Sequence, residues 1–366
     1  MRAKQHLLAI FSLLLVGSFL VPAAAMAQDE TWQKAYQAYS QENYGQAERL
    51  FRQVIKEYEG WGWAHLMLGV TLQKQRKSQA ALDELQAAKE MVTEDEERFQ
   101  VNHAIAQIRL VQGNFDATIS AEGEASKYAK SAEQRGAIAK SLGTAFYNKE
   151  QWRKAVENFE KVTGSRASEA NVQAMLGRSY YELGNKTKAL GFLTKAAQMD
   201  RKNRLALYFA GLIYLENKDY TKAVAVAEQA VRADPQDMAI RSMLGRAYLG
   251  AKQYKGAAQA LENVVAAKPT DGTALYNLGQ AYMSSENWAK AIAAYQRAVN
   301  LLESGSAAQA ACLFDLGFTY EKVGRYDDAL AALKDSAKID ASAKVKEAIS
   351  RVEERIRRAK EKKSGS

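Results

Sequence analysis

The 366-residue sequence has few of the residues that build disulfide frameworks, metal sites or common catalytic centres. It contains one Cys, three His and three Pro. One Cys cannot form a disulfide within the chain, and so few His leave little for a metal site or a His-dependent nucleophile. We therefore expect no cofactor, no metal and no enzymatic activity. The scarcity of Pro also removes the main helix breaker.

What the sequence has instead is an abundance of Ala, Leu, Lys, Glu and Gln, the residues that lose least free energy on entering a helix. No segment beyond the N-terminal region is an uninterrupted apolar run of the length that spans a bilayer. The composition therefore predicts an all-α protein.

The first 27 residues differ in composition from the rest. Arg2 and Lys4 precede an apolar run from Leu7 to Val21, and small residues follow up to Ala27. This order is typical of a secretory signal peptide with cleavage after Ala27. An uncleaved membrane anchor is the alternative, but the run is shorter than the roughly 20 residues that a spanning helix needs. The sequence predicts a periplasmic or secreted protein.

Glycine recurs at a fixed spacing in the middle of the chain. Phe or Tyr stands three residues after each of these glycines, and Ala stands twelve after each. Two helices joined by a tight turn explain the pattern, because small residues let two helix backbones approach closely. Five glycines are separated by 34 residues each: Gly143, Gly177, Gly211, Gly245 and Gly279.

This pattern resembles the tetratricopeptide repeat, whose signature includes Leu-Gly-x2-Tyr and Ala-x3-Phe. The same frame extends to further centres at Ala35, Gly69, Ala106 and Gly317. The resemblance implies an all-α fold, a right-handed α-solenoid of about nine helix-turn-helix repeats with a C-terminal capping helix. The predicted units are 28–61, 62–95, 99–132, 136–169, 170–203, 204–237, 238–271, 272–305 and 310–343.

The unit around Ala106 departs furthest from the pattern. Thr118 stands where Ala is usual, and three extra residues lie on each side of the unit. Because the stability of a repeat array adds up unit by unit, we expect 99–132 to be its weakest joint.

One face of each first helix is set apart from the packed face. It consists of the residues three before, one after and four after the centre, which lie roughly 120° away from that face. The resemblance implies that this face lines a concave groove that contacts partners. Its side chains are mostly large and apolar or aromatic, unlike a merely solvated face. The candidate groove residues are Tyr147, Arg178, Tyr181, Tyr208, Leu212, Arg246, Tyr276 and Met283.

An alternative interpretation of this face is that tight coiling of the repeats buries part of it as core. The same positions in other units hold Trp32, Leu66, Val70 and Glu321. Some family members hold a partner's terminal carboxylate with Lys and Asn on consecutive first helices. Here only Lys140 is basic at the first of the three positions, so the resemblance does not extend to that arrangement.

The last 23 residues, 344–366, carry nine basic and four acidic side chains, a net charge of +5 out of +9 for the chain. An apolar stripe runs through them and predicts a helix that packs on the last repeat. A second interpretation is a surface for anionic lipid head groups or an acidic partner. The stripe consists of Val345, Ile349, Val352, Ile356 and Ala359.

These features together predict a non-catalytic protein–protein interaction scaffold of the bacterial cell envelope. The expected partner is a protein or peptide segment, and we expect neither nucleic acid nor a small-molecule substrate. A self-associating structural protein and a membrane-surface adaptor that uses the basic C-terminal helix are the alternatives.

Overall fold

A computed structural model describes residues 30–162 and 169–364, and the predicted signal peptide lies outside these ranges. The described ranges are helical, with short turns and no β-strand. None of these helices is both long and apolar enough to cross a membrane. The chain divides into two compact units, one ending at Phe192 and the other beginning at Leu193.

The first unit is a series of helix pairs, each made of a first helix, a short turn and a second helix. The pairs are α1 Glu30–Ser40 with α2 Tyr44–Glu57, α3 Gly62–Lys74 with α4 Ser78–Met91, α5 Asp95–Val111 with α6 Phe115–Ser126, α7 Ala132–Asn148 with α8 Trp152–Phe159, and α9 Ala170–Glu182 with α10 Lys186–Met199, which continues into the second unit.

The second unit repeats the arrangement and ends in a single long helix. Its pairs are α11 Arg204–Glu216 with α12 Tyr220–Ala233, α13 Met238–Gly250 with α14 Tyr254–Ala267, α15 Gly272–Ser284 with α16 Trp288–Leu301, and α17 Ala307–Lys322 with α18 Tyr326–Ile339, followed by α19 Ala343–Ser364. Within each unit, the helices of a pair pack together and the second helix packs on the next first helix. The predicted all-α solenoid of helix-turn-helix repeats is confirmed.

The inserted residues do not form loops between the repeats. The first helices α5, α7 and α17 have 17, 17 and 16 residues, whereas α9 and α11 have 13. The three long helices begin at residues 95, 132 and 307, before the predicted unit starts at 99, 136 and 310. Three or four residues are close to one helical turn, so the insertion lengthens the helix and leaves its packed face in register.

The turn inside each pair passes through one residue with a left-handed backbone, seven residues after the centre. Glycine adopts this conformation at no cost and stands there three times, as Gly113, Gly184 and Gly324. Other residues are strained in it because Cβ crowds the following carbonyl. The non-glycine residues at this position, with φ between 56° and 63°, are Glu42, Arg76, Glu150, Lys218, Lys252 and Glu286.

The core of a typical repeat follows the motif. In the eighth repeat, α15 with α16, the core residues Ala291 and Tyr295 are fully buried. A Cβ added at Gly279 would lie 2.5 Å from the Tyr295 ring, and the equivalent atom at Gly245 would lie 2.5 Å from Leu261. The central glycine is therefore small because it contacts the side chain 16 residues later.

The third repeat, α5 with α6, has a polar core at the same positions. Thr118 and Glu122 replace the Ala and the large apolar residue, and both are fully buried. His103 Nδ1 on α5 lies 3.0 Å from Glu122 Oε1, and Gln107 Nε2 donates to the same oxygen at 3.4 Å. The Thr118 hydroxyl donates to the carbonyl of Asn114 at 2.9 Å. The buried carboxylate thus has partners on the adjacent helix, as burial of a charge requires.

The motif Tyr three after the centre connects neighbouring repeats. The Tyr248 hydroxyl donates to Glu228 Oε1 of the preceding second helix at 2.8 Å. Burial and the adjacent Glu228 raise the pKa of Tyr248 to about 12. Tyr282 makes the same contact with Glu262, where Lys290 also lies 5.1 Å above the Tyr282 ring. The acidic partners were not predicted, although two of them are one repeat length apart.

The C-terminal helix α19 packs on the last repeat along the predicted stripe. Val345 and Val352 are buried, and Ile349 and Ile356 are partly buried against the same core cluster. The expected role of this helix as a cap on the repeats is therefore confirmed.

Candidate partner-binding surface

First helices of neighbouring repeats contact each other within each unit, as α5 does with α7 and α13 with α15. Among the described helices, no pair of second helices in a unit comes as close. The first helices therefore lie on the inner side of the curve in each unit. The face three before, one after and four after each centre is called the groove face below.

The groove face of the first unit carries an arginine held by aromatic rings. Arg178 Nη1 donates to the Tyr147 hydroxyl at 2.8 Å. The same guanidinium lies 5.1 Å from the Tyr147 ring centroid and 5.2 Å from that of Trp152. Burial raises the pKa of Tyr147. Tyr181, one turn after Arg178, is half-buried. Two candidate residues from adjacent repeats thus form one contact surface.

Lys140 lies on this face as well, with its ammonium 2.6 Å from Glu169 Oε2. The only basic residue at the first groove position is therefore engaged within the protein. This contact agrees with the absence of the Lys and Asn arrangement noted above.

The groove face of the second unit combines half-buried and exposed side chains. Tyr208 and Leu212 on α11 pack partly against the core of that unit. Arg246 on α13 is exposed and has no hydrogen bond or ion pair within 30–162 or 169–364. Tyr276 and Met283 on α15 are half-buried. All eight predicted residues thus keep part of their surface accessible.

A carboxylate lies beside Tyr276. The Tyr276 hydroxyl donates to Asp315 Oδ2 of α17 at 3.1 Å, and Gln280 Nε2 lies 2.9 Å from that hydroxyl and 3.4 Å from the same carboxylate oxygen. Burial raises the pKa of Asp315, and burial together with the charge of Asp315 raises the pKa of Tyr276. The Tyr295 hydroxyl contacts Met283 Sδ at 3.7 Å.

Asp315 was missed because it lies two residues before its centre, outside the three positions used to define the groove face. Its apolar neighbours in sequence gave no sign of a polar contact. The signal that could have found it is its position on the same helix side as residue 314, next to the preceding repeat's Tyr276.

Several groove positions near the ends of the repeat array belong to the core instead. Trp32 is 4% exposed and stacks on Trp61, with ring centroids 4.6 Å apart. Leu66 and Val70 are buried in the same N-terminal core. The alternative interpretation, burial of part of the face, therefore holds for these positions.

At the other end, Glu321 is buried and receives the C-terminal helix. Arg351 donates to its carboxylate through Nε at 3.1 Å and Nη2 at 2.9 Å, and Arg355 Nε lies 2.9 Å from the same group. Two of the basic residues of the tail thus hold the cap in place rather than facing a partner.

The lone Cys312 is buried, and its thiol contacts the carbonyl of Tyr295 at 3.6 Å. Burial raises the pKa of this thiol to about 12. Within the described parts of the chain, no three His, Cys, Asp or Glu side chains are grouped so that they could hold a metal ion.

Comparison with protein families identifies the repeats. Profiles described as tetratricopeptide repeat match residues 141–203, 175–237 and 271–342. A profile described as bacterial transcriptional activator domain matches residues 210–306, within the same run of helix pairs. No curated protein matches the chain. The matched segments are tetratricopeptide repeats, as the spacing of the glycines predicted.

Solved structures with the same fold include the C-terminal part of a repeat-containing protein from Cytophaga hutchinsonii. It is 17% identical, with a TM-score of 0.52 over 68% of this chain and 99% of that one. YrrB, described as a tetratricopeptide-repeat protein with an unusual peptide-binding site, is 22% identical over 52% of this chain and 96% of its own, with a TM-score of 0.47. MamA from Desulfovibrio magneticus RS-1 is 28% identical over 48% and 96%, with a TM-score of 0.43.

Proposed function

We propose that the protein is a non-catalytic scaffold that binds a segment of a protein partner along the groove face of its repeats. Stacked helix pairs generate extended concave surfaces of the kind that repeat proteins use for binding. Tyr, Met and Arg, which recur on this face, are enriched at protein interfaces relative to other surfaces.

The observation that carries the proposal is Arg246. An exposed arginine without an ion pair stands on the inner face of α13, between the half-buried Leu212 on α11 and Tyr276 on α15. Arginine and tyrosine side chains are the residues that most often dominate binding energy at interfaces. A bound segment would supply the acceptors for this guanidinium and cover the apolar surface beside it.

Site-specific photo-crosslinking in cells tests the proposal. A photoreactive amino acid replaces Arg246 in one variant and Lys255 in the matched control. Lys255 is exposed on α14, the second helix of the same repeat. We expect discrete adducts from position 246 and none from 255. Equal labelling from both positions would contradict a groove-directed scaffold, and adducts with a second copy of the chain would instead support self-association.

A stability control accompanies this experiment. Arg246→Ala should change the free energy of unfolding by less than about 0.5 kcal/mol, because the residue is exposed and has no partner. If the adducts at position 246 require the folded groove, heat denaturation before irradiation should abolish them.

We further propose that this scaffold works in the periplasm of the bacterial cell envelope. The proposal rests on the basic, apolar and small-residue order of residues 1–27. Residues 1–40 fused to a reporter that is active only outside the cytoplasm should export it, and the exported chain should begin at Gln28. Intact Met1 on the exported protein would show that no cleavage occurs after Ala27.

A further inference from the structure

The strongest unassigned feature of the second unit is the carboxylate of Asp315. It lies on α17 and faces the Tyr276 hydroxyl and the Gln280 amide of α15, both of which lie on the groove face. Both contacts go to Oδ2. Oδ1 accepts no hydrogen bond from any residue in the described ranges, and Asp315 remains partly exposed.

The charge of this carboxylate is not neutralised by a contact within the protein. Tyr276 and Gln280 are neutral donors, and no Lys, Arg or His nitrogen of the described ranges lies within 4.0 Å of Asp315. The nearest cation is Lys344 of α19, whose ammonium lies 4.3 Å above the Phe314 ring. Burial of an ionised group is costly unless an opposite charge meets it. The raised pKa of this carboxyl reflects that cost.

The surroundings suit a long cationic side chain. Tyr276 presents an aromatic ring beside the carboxylate, and Met283 follows two turns later on the same helix. The protein already uses this combination elsewhere: the Arg178 guanidinium stacks 5.1 Å from the Tyr147 ring and hydrogen-bonds its hydroxyl. A guanidinium or ammonium at Asp315 could pair with the free oxygen and lie against the Tyr276 ring.

We propose that Asp315, Tyr276 and Gln280 form a subsite that takes a Lys or Arg side chain of the segment bound along the groove face. This inference rests on the proposed function and adds the chemistry of the partner. The bound segment carries a basic residue opposite α15 and α17, where Asp315 supplies the negative charge, and Arg246 two helices earlier offers the opposite charge to an acidic group of the same segment.

The test uses a small probe so that the partner need not be known. The full chain, with its methionine methyl groups labelled with ¹³C, is titrated with N-acetyl-arginine N-methylamide and followed by NMR. The Met283 methyl signal, assigned through Met283→Leu, should shift saturably. N-acetyl-citrulline N-methylamide, which has the same shape without the charge, should bind at least about tenfold more weakly, as loss of a charged hydrogen bond predicts.

Asp315→Asn is the decisive variant, because the amide oxygen can still accept from Tyr276 and Gln280. It should lower the affinity for the arginine compound about tenfold or more and leave the melting temperature unchanged or higher. Lys344→Ala should bind the compound at least as tightly as the unmodified chain. Equal binding of the arginine and citrulline compounds, or unchanged binding by Asp315→Asn, would overturn the subsite.

The two proposals fail in different ways. Crosslinks from position 246 together with no discrimination between the arginine and citrulline compounds would leave the scaffold standing and remove the subsite. Asp315-dependent binding of the arginine compound without crosslinks from position 246 would do the reverse.

Discussion

The third and eighth repeats place different chemistry at the same two core positions. In the eighth, Ala291 and Tyr295 fill the space between the helices, whereas in the third Thr118 and Glu122 do so, and all four side chains are fully buried. The polar version persists because His103, on the groove face of α5, turns toward Glu122. A repeat can therefore keep its backbone while it exchanges apolar packing for a buried polar contact, provided that its first helix supplies the partner.

The largest effect should come from removing the apolar version. Tyr295→Ala should lower the free energy of unfolding of the second unit by about 3 to 5 kcal/mol, because it leaves a cavity in a fully packed site. Chemical denaturation measures this loss. Asn300→Ala, an exposed change on the same helix, should stay within about 0.5 kcal/mol.

The polar version should respond differently to its two members. His103→Ala should cost about 1 to 3 kcal/mol, because it leaves a buried carboxylate with a weaker set of partners. Glu122→Leu should be neutral or stabilising, since replacing a buried polar pair by apolar packing often is. In the Glu122→Leu background, His103→Ala should cost far less than in the unmodified chain. Additive costs in this double-mutant cycle would show that the two side chains are not coupled.

Hydrogen exchange compares the two repeats directly. Amides of α5 and α6 should exchange through local opening before those of α15 and α16, because the third repeat has a polar core and a smaller apolar cluster around Phe99, Ala125 and Ile138. Equal protection in both repeats would contradict the expectation that 99–132 is the weakest joint. Glu122→Leu should narrow the difference.

The turns of the two repeats differ by one residue type. The left-handed position is Gly113 in the third repeat and Glu286 in the eighth, with φ of 74° and 59°. Glu286→Gly should stabilise the chain by up to about 1 kcal/mol because it relieves the strain, and Gly113→Ala should destabilise it by a similar amount. Thermal melts of the two variants measure both signs, and effects of the same sign would contradict this explanation.

The smallest effect separates the two buried carboxylates. Glu122 has a His partner, whereas Asp315 has neutral donors and a pKa raised by burial. Because the folded state disfavours the ionised form, the stability that Asp315 contributes is complete below its unfolded pKa of about 3.9 and is lost as pH rises through the folded pKa. Asp315→Asn should therefore raise the melting temperature at pH 7 and not at pH 4. A gain that is the same at both pH values would refute the assignment.

The sequence was sufficient to predict the repeats, because their spacing depends on backbone contacts that only small residues permit. Gly279 recurs at the motif position because its missing Cβ makes room for Tyr295, and the same rule located every centre. The face on which a residue lies was also predictable, since helical phase follows from the centre.

Partners between repeats were harder to predict. The contact between Tyr276 and Asp315 joins residues 39 positions apart, and neither is unusual in its own helix. Glu122 occupies a motif position and was still missed as a core residue, because a carboxylate there makes sense only together with His103 on another helix. Pairing across helices depends on side-chain geometry, which a one-dimensional pattern does not contain.

The extra turns of α5 and α7 lie next to each other in space. Gln134 Nε2 donates to Glu96 Oε2 at 2.7 Å, and Lys130 lies 2.9 Å from Asp95, so the added residues are tied together. One turn adds about 5 Å along a helix axis and almost no rotation around it. The rim of the first unit is therefore higher at these two repeats, while the composition of the face below it is untouched. Height at the edge and chemistry on the floor can thus vary independently in this chain.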